Sequence, residues 1–496
     1  MIKDSLQPID KLAIILILIL SLLISFLVWE SENCNDRCWF NKGPHVQNFS
    51  WEGKEISAED RAFIITFDRL MDRKTVEQNL VIKPPLPGRI SWSGKRFAYT
   101  LNNPAPYGET YQVSLSNATG TFRDGRDKND PPMLPFVGKF KTRDRTFAYI
   151  GSQGEEKGRL ILYNLTKNNL TILTPPELVV IDFKPYSSGD RLLFSAADIN
   201  SGINSLQELQ LYSINIEKVK KDPINLKKHL ELILDNKQYQ NNQFDLSADG
   251  KIIVVQRINR ENPADFDLWT IKSDEPPQPL KVTGGEFRIA PDSQTLALAQ
   301  GEGIGLLPLE KNAQPLDFLP KFGQILSFSK DGTAAAMVNF NTDNANLRYV
   351  RSLYYVNNQG VQKQLLNVKG SILDCQFNPN ATLLYCLLTE LQEAEEYIEK
   401  PYFAEIDLRT GKLTPLIELP NYQDIHTSIS PDGLVILFDQ VITANITDAQ
   451  YPLTTNSGQA IVGGNLWLLI PSSVTQSTQS ELRKLPLIGF NPQWLP

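Results

Sequence analysis

A four-residue phrase recurs along the second two-thirds of this chain and constrains its fold more than any other feature. It reads Ser-Ala-Asp-Gly at 247–250, Ala-Pro-Asp-Ser at 290–293, Ser-Lys-Asp-Gly at 329–332, Asn-Pro-Asn-Ala at 378–381 and Ser-Pro-Asp-Gly at 430–433, with a looser Ser-Ser-Gly-Asp at 187–190. Each copy follows a short alternating run and precedes an apolar one, as Phe244-Asp245-Leu246 and Ile252 to Val255 do around the first. Proline presets φ and glycine accepts φ > 0, so such a phrase between two strand-like runs predicts a hairpin. Hairpins spaced by roughly 40–60 residues predict a β-propeller, whose repeat is about 40–50.

Six units start near Val179, Gln243, Glu286, Ile325, Ile372 and Ile425. Before them, Phe147 to Gly151, Leu160 to Leu165 and Leu170 to Leu173 give three strands that no hairpin phrase introduces. After them, Leu487 to Trp494 gives one opening strand with nothing behind it. Three strands lacking a first, and a first lacking its three, make one blade shared by two distant segments. The expected count is seven blades over 145–496, closed by the C-terminal strand so that no sheet edge is left open.

The preceding segment, 55–144, reads as a compact β-sandwich of short alternating strands at 62–67, 97–101, 110–115 and 137–141. Residues 30–54 read as a polar linker. Residues 12–29 are apolar apart from Ser21 and Ser25, follow Lys3 and Lys11, and precede Glu30, Glu32 and Asp36. Eighteen helical residues span about 27 Å against a hydrocarbon core of about 30 Å. The expectation is an uncleaved transmembrane signal anchor, with 1–11 cytoplasmic and everything beyond Trp29 extracytoplasmic. The fold class expected for the whole chain is therefore all-β: a transmembrane helix, an Ig-like β-sandwich and a seven-bladed propeller.

Two resemblances support this division. Phe67-Asp68-Arg69-Leu70-Met71-Asp72, with Thr75-Val76 after it, resembles the F-S-x-P-M-D signature of bacterial Ig-like domains of the SbsA type, although Leu70 stands where proline is usual. Tyr107-Gly108-Glu109-Thr110-Tyr111 and Phe140-Lys141-Thr142 resemble two later segments of that family. The resemblance implies a spacer or adhesion module without catalysis. Phrases such as Ser430-Pro431-Asp432-Gly433 resemble the repeats of TolB-type and WD40-like propellers, without the Trp-Asp dipeptide of true WD40 blades.

A net charge of −7 argues against nucleic acid as the main partner, because phosphate binding requires a clustered basic excess. In an oxidising compartment cysteines pair. Cys34 and Cys38 lie close in sequence. Cys375 and Cys386 flank the 378–381 turn, where they are either a cross-strand disulfide or two small buried residues.

Catalytic constellations are nearly absent. The three histidines, His45, His229 and His426, have no zinc-ligand spacing, and no nucleophile elbow or phosphate-binding loop appears. No catalytic, cofactor or metal residue is assigned, and no enzyme is expected. The acids in 389–400 (Glu390, Glu393, Glu395, Glu396, Glu399) and the lysines in 216–229 (Lys218, Lys220, Lys221, Lys227, Lys228) read as solvated segments. Asp124, Asp127, Asn129 and Asp130 supply oxygen ligands at tight spacing but lack an EF-hand pattern.

Function is expected on the face carrying the loops between second and third strands, at 196–208, 257–267, 341–349, 389–400 and 441–464, since long loops on a rigid scaffold are where binding concentrates. The expectation is a binding or scaffold protein that docks a protein or an envelope polymer there. The alternative is a metal-dependent hydrolase, of the lactonase or phosphoesterase kind, with its site in the channel. Its candidate residues are Asp182, Asp245, Asp374, Asp424 and His426.

Overall fold

The computed structural model describes residues 8–32, 43–121, 132–273, 275–282, 285–301, 303–310, 317–347, 349–392, 398–419, 424–444, 459–475 and 477–496. The chain is all-β apart from short helices and the N-terminal helix Pro8–Glu32. It divides into two units, one of 1–105 with 109–142 and one of 106–108 with 143–496.

The transmembrane anchor expected over 12–29 is not upheld. A helix does form there, but among the described residues no helix is long and apolar enough to cross a membrane. Side chains of this helix are described over 13–25, where the apolar residues are exposed.

The first unit packs two four-stranded sheets around one core. One sheet runs in the order Val46–Phe49, Ala62–Phe67, Arg96–Leu101, Gly88–Ser93, and the other Glu55–Ile56, Phe136–Thr142, Thr110–Leu115, Leu80–Lys83. Alternation sets which side chains face inward: Phe63, Ile65 and Phe67 of one strand are fully buried, as is Phe97 of its neighbour. Phe140 of the second sheet packs edge-on against Trp51 at 4.9 Å and stacks on Tyr111 at 5.1 Å. Phe49 and Trp51, read from sequence as linker, belong to this core. The Phe67 to Asp72 motif has a physical meaning here. Phe67 and Met71 are buried, and Asp72 caps the helix Arg73–Asn79 by accepting the Lys74 N–H at 2.9 Å.

The second unit is a β-propeller by its strand pairing. Five four-stranded antiparallel sheets follow one another in chain order, from Leu178–Pro185 to Leu413–Glu418, and constitute blades two to six. A seven-stranded sheet supplies the other two blades, joined by the long strand Glu481–Trp494. Its first half pairs with Ala460–Ile470 as the outer strand of blade seven (Leu469 opposite Leu482). Its second half pairs with Thr146–Gly151 as the inner strand of blade one (Phe490 opposite Ile150, Trp494 opposite Phe147). Among the described residues the ring therefore holds seven four-stranded blades, closed by pairing between segments more than 330 residues apart.

The recurring phrase forms the turn between first and second strands. In three copies the serine and aspartate do the same work. Ser247 donates to Asp249 at 2.7 Å and accepts the Ile252 N–H at 2.9 Å; Ser329 and Ser430 repeat this with Asp331 and Ala334, and with Asp432 and Val435. In the Asn-Pro-Asn-Ala copy, Asn378 alone accepts the Thr382 and Leu383 N–H groups, at 2.8 and 3.0 Å. In the five close copies the last residue adopts positive φ, glycine at 250, 332 and 433 but Ser293 and Ala381 elsewhere; in the looser copy the third residue, Gly189, does so. Neighbouring turns also touch: a Cβ on Gly433 would lie 2.7 Å from Pro379, and one on Gly250 would lie 2.9 Å from Tyr186.

Candidate functional site

The site is built from one register position. Two residues before each turn begins, the first strands of blades three to seven carry Asp245, Arg288, Ser327, Gln376 and Ser428; Lys184, three residues before the looser phrase of blade two, and Gln493 in blade one hold the equivalent places. Each of these side chains bonds the first strand of the next blade. Lys184 pairs with Asp245 at 3.4 Å, and Asp245 accepts the Ile289 N–H at 2.8 Å. Arg288 donates to Ile325 O at 3.2 Å, and Ser327 to Cys375 O at 2.6 Å. Gln376 accepts the Ile429 N–H at 3.2 Å, Ser428 accepts the Trp494 N–H at 3.1 Å, and Gln493 donates to Phe183 O at 2.8 Å. The seven links complete a circle, which places the first strands innermost around the channel.

Two residues earlier on the same strands stands a second tier: Asp182, Gln243, Glu286, Ile325, Asp374, His426 and Asn491. Three members of this tier meet where the ring closes. Asp439, fully buried on the second strand of blade seven, accepts the His426 N–H at 2.8 Å, lies 2.8 Å from His426 Nδ1, and accepts the Asn491 N–H at 2.7 Å. Asn491 in turn donates to Asp182 Oδ1 at 3.0 Å. Blades seven, one and two are thus tied through one carboxylate. Burial pulls the His426 imidazole down, but the charge and hydrogen bond of Asp439, with the charges of Asp182 and Asp424, outweigh it and raise the pKa to about 9. The ring is crowded by protein yet keeps 46% of its side-chain surface accessible, as a group lining a wet channel does. At neutral pH it is an imidazolium, which is a cation and a donor rather than a general base.

Of the five residues offered for a hydrolase, the structure brings Asp182, Asp424 and His426 into one neighbourhood. Asp245 is taken up by Lys184 and Ile289, and Asp374 by Gln376 (2.8 Å) and Thr427. Among the described residues no group of three or more His, Cys, Asp or Glu is arranged to hold a metal ion. The sequence reading passed over Glu286 and Arg288, which occupy the same two register positions in blade four. The signal that finds them is their fixed offset from the turn phrase.

The face carrying the second-to-third-strand connections is less loop-rich than the sequence suggests. Strands Ile252–Asn259 and Phe266–Lys272 leave a short link, and in blades six and seven the hairpins run on as paired strands to Leu391 and Ala444. In blade two the connection is the 3₁₀ segment Ile199–Gln207. A pocket of about 410 Å³ opens on this face among blades seven, one and two. Its floor is Phe490 and Val179, and its walls include Ile199, Ile461, Val462 and the Ser152 to Arg159 connection of blade one. Glu155, Lys157 and Arg159 supply its charge, and burial lowers the Arg159 pKa, partly offset by Glu155 and Glu177.

The other sequence-level candidates are structural or lie outside the described residues. The lysine-rich segment is a packed connection, with Ile216, Val219 and Leu226 buried, Lys220 paired to Glu217 and Lys227 to Glu177. Glu390 and Glu399 sit on paired strands, whereas Glu393, Glu395 and Glu396 are outside the described residues, as are Cys34, Cys38, Asp124, Asp127, Asn129 and Asp130. Cys375 and Cys386 form a disulfide between directly opposed positions of blade six.

No protein-family model matches the chain. No curated protein matches it either. Solved structures similar to it include TolB from Acinetobacter baumannii (12% identity, TM-score 0.38, covering 84% of this chain and 83% of that one). A putative 6-phosphogluconolactonase from Bacteroides uniformis (12%, 0.42, 71% and 100%) and an oligogalacturonate lyase in complex with manganese (14%, 0.38, 67% and 99%) are also similar. With TM-scores below 0.5, these likenesses add nothing to what strand pairing establishes. They leave open whether the chain is an enzyme, and they do not show the SbsA-type Ig-like domain.

Proposed function

We propose that the second unit is a binding propeller whose partner, a protein or an envelope polymer, docks on the face carrying the second-to-third-strand connections. The observation that carries this reading is the pocket of about 410 Å³ on that face. It has the size and the mostly apolar lining of a preformed binding site. Around it stand the exposed apolar side chains of Ile199, Leu206 and Ile442, the last paired across its hairpin with Gly463 beside the pocket wall. Exposed apolar residues grouped at a pocket rim are what a docking partner covers.

The disulfide between Cys375 and Cys386 supports an extracytoplasmic setting, since such bonds persist in oxidising compartments. The net charge of −7 supports a partner other than nucleic acid. On this reading the first unit is a spacer of Ig-like type.

The test is a comparison of the species retained from an envelope extract by the unmodified protein and by an Ile199→Glu, Val462→Arg variant. Loss of a retained species in the variant, with its melting temperature unchanged, supports the reading. Identical retention by both proteins overturns it.

A further inference from the structure

A second cavity, of about 230 Å³, lies in the channel wall against the first strands of blades three to six. Its lining carries Gln243, Glu286, Arg288 and Gln324, over a base of Phe287, Ala297, Ile304 and Leu373. The chain positions these groups by register. Gln243 and Glu286 occupy the same place in blades three and four, and Arg288 follows Glu286 by two residues, on the same side of the strand. Blade four's second strand ends beside the cavity in a tight connection, with Ala299 opposite Ile304, so no long loop roofs the opening.

These four side chains are an unusual set to leave wet. Glu286 and Arg288 are exposed, as is Gln243, and only part of their bonding capacity is used within the protein. Gln324 Nε2 donates to Glu286 Oε2 at 3.1 Å, and Arg288 uses Nε on Ile325 O at 3.2 Å. Among the described residues neither the terminal amino groups of Arg288 nor the amide of Gln243 has a hydrogen-bond partner. The inventory is balanced. One carboxylate only accepts, one guanidinium only donates, and two amides do both, while the formal charges cancel. A neutral molecule with several hydroxyls, each a donor and an acceptor, matches that inventory. A metal ion or an anion would leave half of it unused.

We propose that this cavity binds a single sugar ring, a neutral polyhydroxyl unit held by Gln243, Glu286, Arg288 and Gln324. The volume accommodates one ring. The flat side chains can each bridge adjacent hydroxyls, and charge-assisted bonds from Glu286 and Arg288 are the stronger contributors. The assignment does not depend on the docking face, since none of these residues lines the pocket among blades seven, one and two.

The test is saturation-transfer NMR with calorimetry on the full chain. The probes are glucose, N-acetylglucosamine and its β-1,4-linked dimer, with glycine and leucine as zwitterionic comparisons. The expected result is one-to-one binding of at least one sugar and none of the amino acids. Glu286→Ala and Gln243→Ala should each weaken it about tenfold, the loss of one or two bonds to a polar ligand. Lys251→Ala, on an exposed turn, should leave it unchanged. Tighter binding of the dimer than of its monomer would identify the source as a polymer unit, and equal binding a free sugar; both support the assignment. Absence of binding by every sugar, preference for the amino acids, or sugar binding indifferent to the Glu286 and Gln243 changes would overturn it.

Discussion

The Asn491 N–H donates to the Asp439 carboxylate at 2.7 Å, and these two residues come from strands of different blades at the point where the ring closes. The same carboxylate holds His426, so the closure has an electrostatic component that titrates. His426 carries a pKa of about 9 in the folded chain against 6.5 as the ordinary value. A raised cationic pKa contributes stability that is complete below about pH 6.5 and is lost as pH rises through about 9. After allowance for solvent screening of a half-exposed ring, the contribution is about 1–2 kcal/mol. Melting temperature should therefore fall between pH 7 and 10, and His426→Gln should remove that part of the fall. A pH profile unchanged by the substitution would refute the assignment.

Asp439→Ala should be more damaging than the loss of its histidine partner. The carboxylate is fully buried and its removal leaves the Asn491 and His426 N–H groups and the His426 ring without their acceptor. The expected cost is about 2–4 kcal/mol in urea denaturation.

Gln376 is the most heavily bonded member of the seven-link circle, reaching Asp374, the Thr427 carbonyl and hydroxyl, and the Ile429 N–H. Gln376→Leu preserves bulk and removes all four bonds. The expected loss is about 2–3 kcal/mol, against about 1 kcal/mol for Ser428→Ala, which removes one. Equal effects in chemical denaturation would mean that the circle is not the source of the stability.

The disulfide joins cysteines 11 residues apart, both completely buried. Replacing both by alanine should lower stability by about 2–3 kcal/mol, the chain-entropy value for so short a loop. Mass spectrometry of the unreduced protein should show the 375–386 linkage, and free thiols at these positions would contradict the structure.

Gly433→Ala should be costly although only a methyl group is added. The residue has a φ of 75° and its added Cβ would approach Pro379 of the adjoining turn to 2.7 Å. About 1–3 kcal/mol is expected, well above the effect of alanine at Gly360, which has a similar φ of 79° but open space around it.

Much of the second unit could be read from its turns because local chemistry determines them. Ser329 and Asp331 satisfy backbone groups within five residues, so the turn chemistry is set locally. That Leu487 to Trp494 supplies the strand missing from blade one could be read by counting strands, whereas no such gap marked its continuation back to Glu481 in blade seven. The channel tiers were harder to see. Lys184, Asp245, Arg288, Ser327, Gln376, Ser428 and Gln493 share a position but no residue type, because each bonds a different group on its neighbour. Periodicity detects repeated hydrophobicity and misses a repeated function performed by varied polar side chains. The N-terminal helix failed for a simpler reason, since apolar composition over 12–29 specifies helix but does not specify a bilayer around it.

The strand Glu481–Trp494 also governs how the ring is assembled. Other pairings in the propeller join strands adjacent in the chain and can form as each hairpin leaves the ribosome. Blade one alone must wait for a segment translated more than 330 residues later. Throughout that interval Thr146–Gly151 presents an unpaired edge, and the arriving strand can complete either its own ring or that of a neighbouring copy. The closure that gives the mature molecule a single continuous circle thus makes exchange of that strand between nascent chains the characteristic misassembly of this architecture.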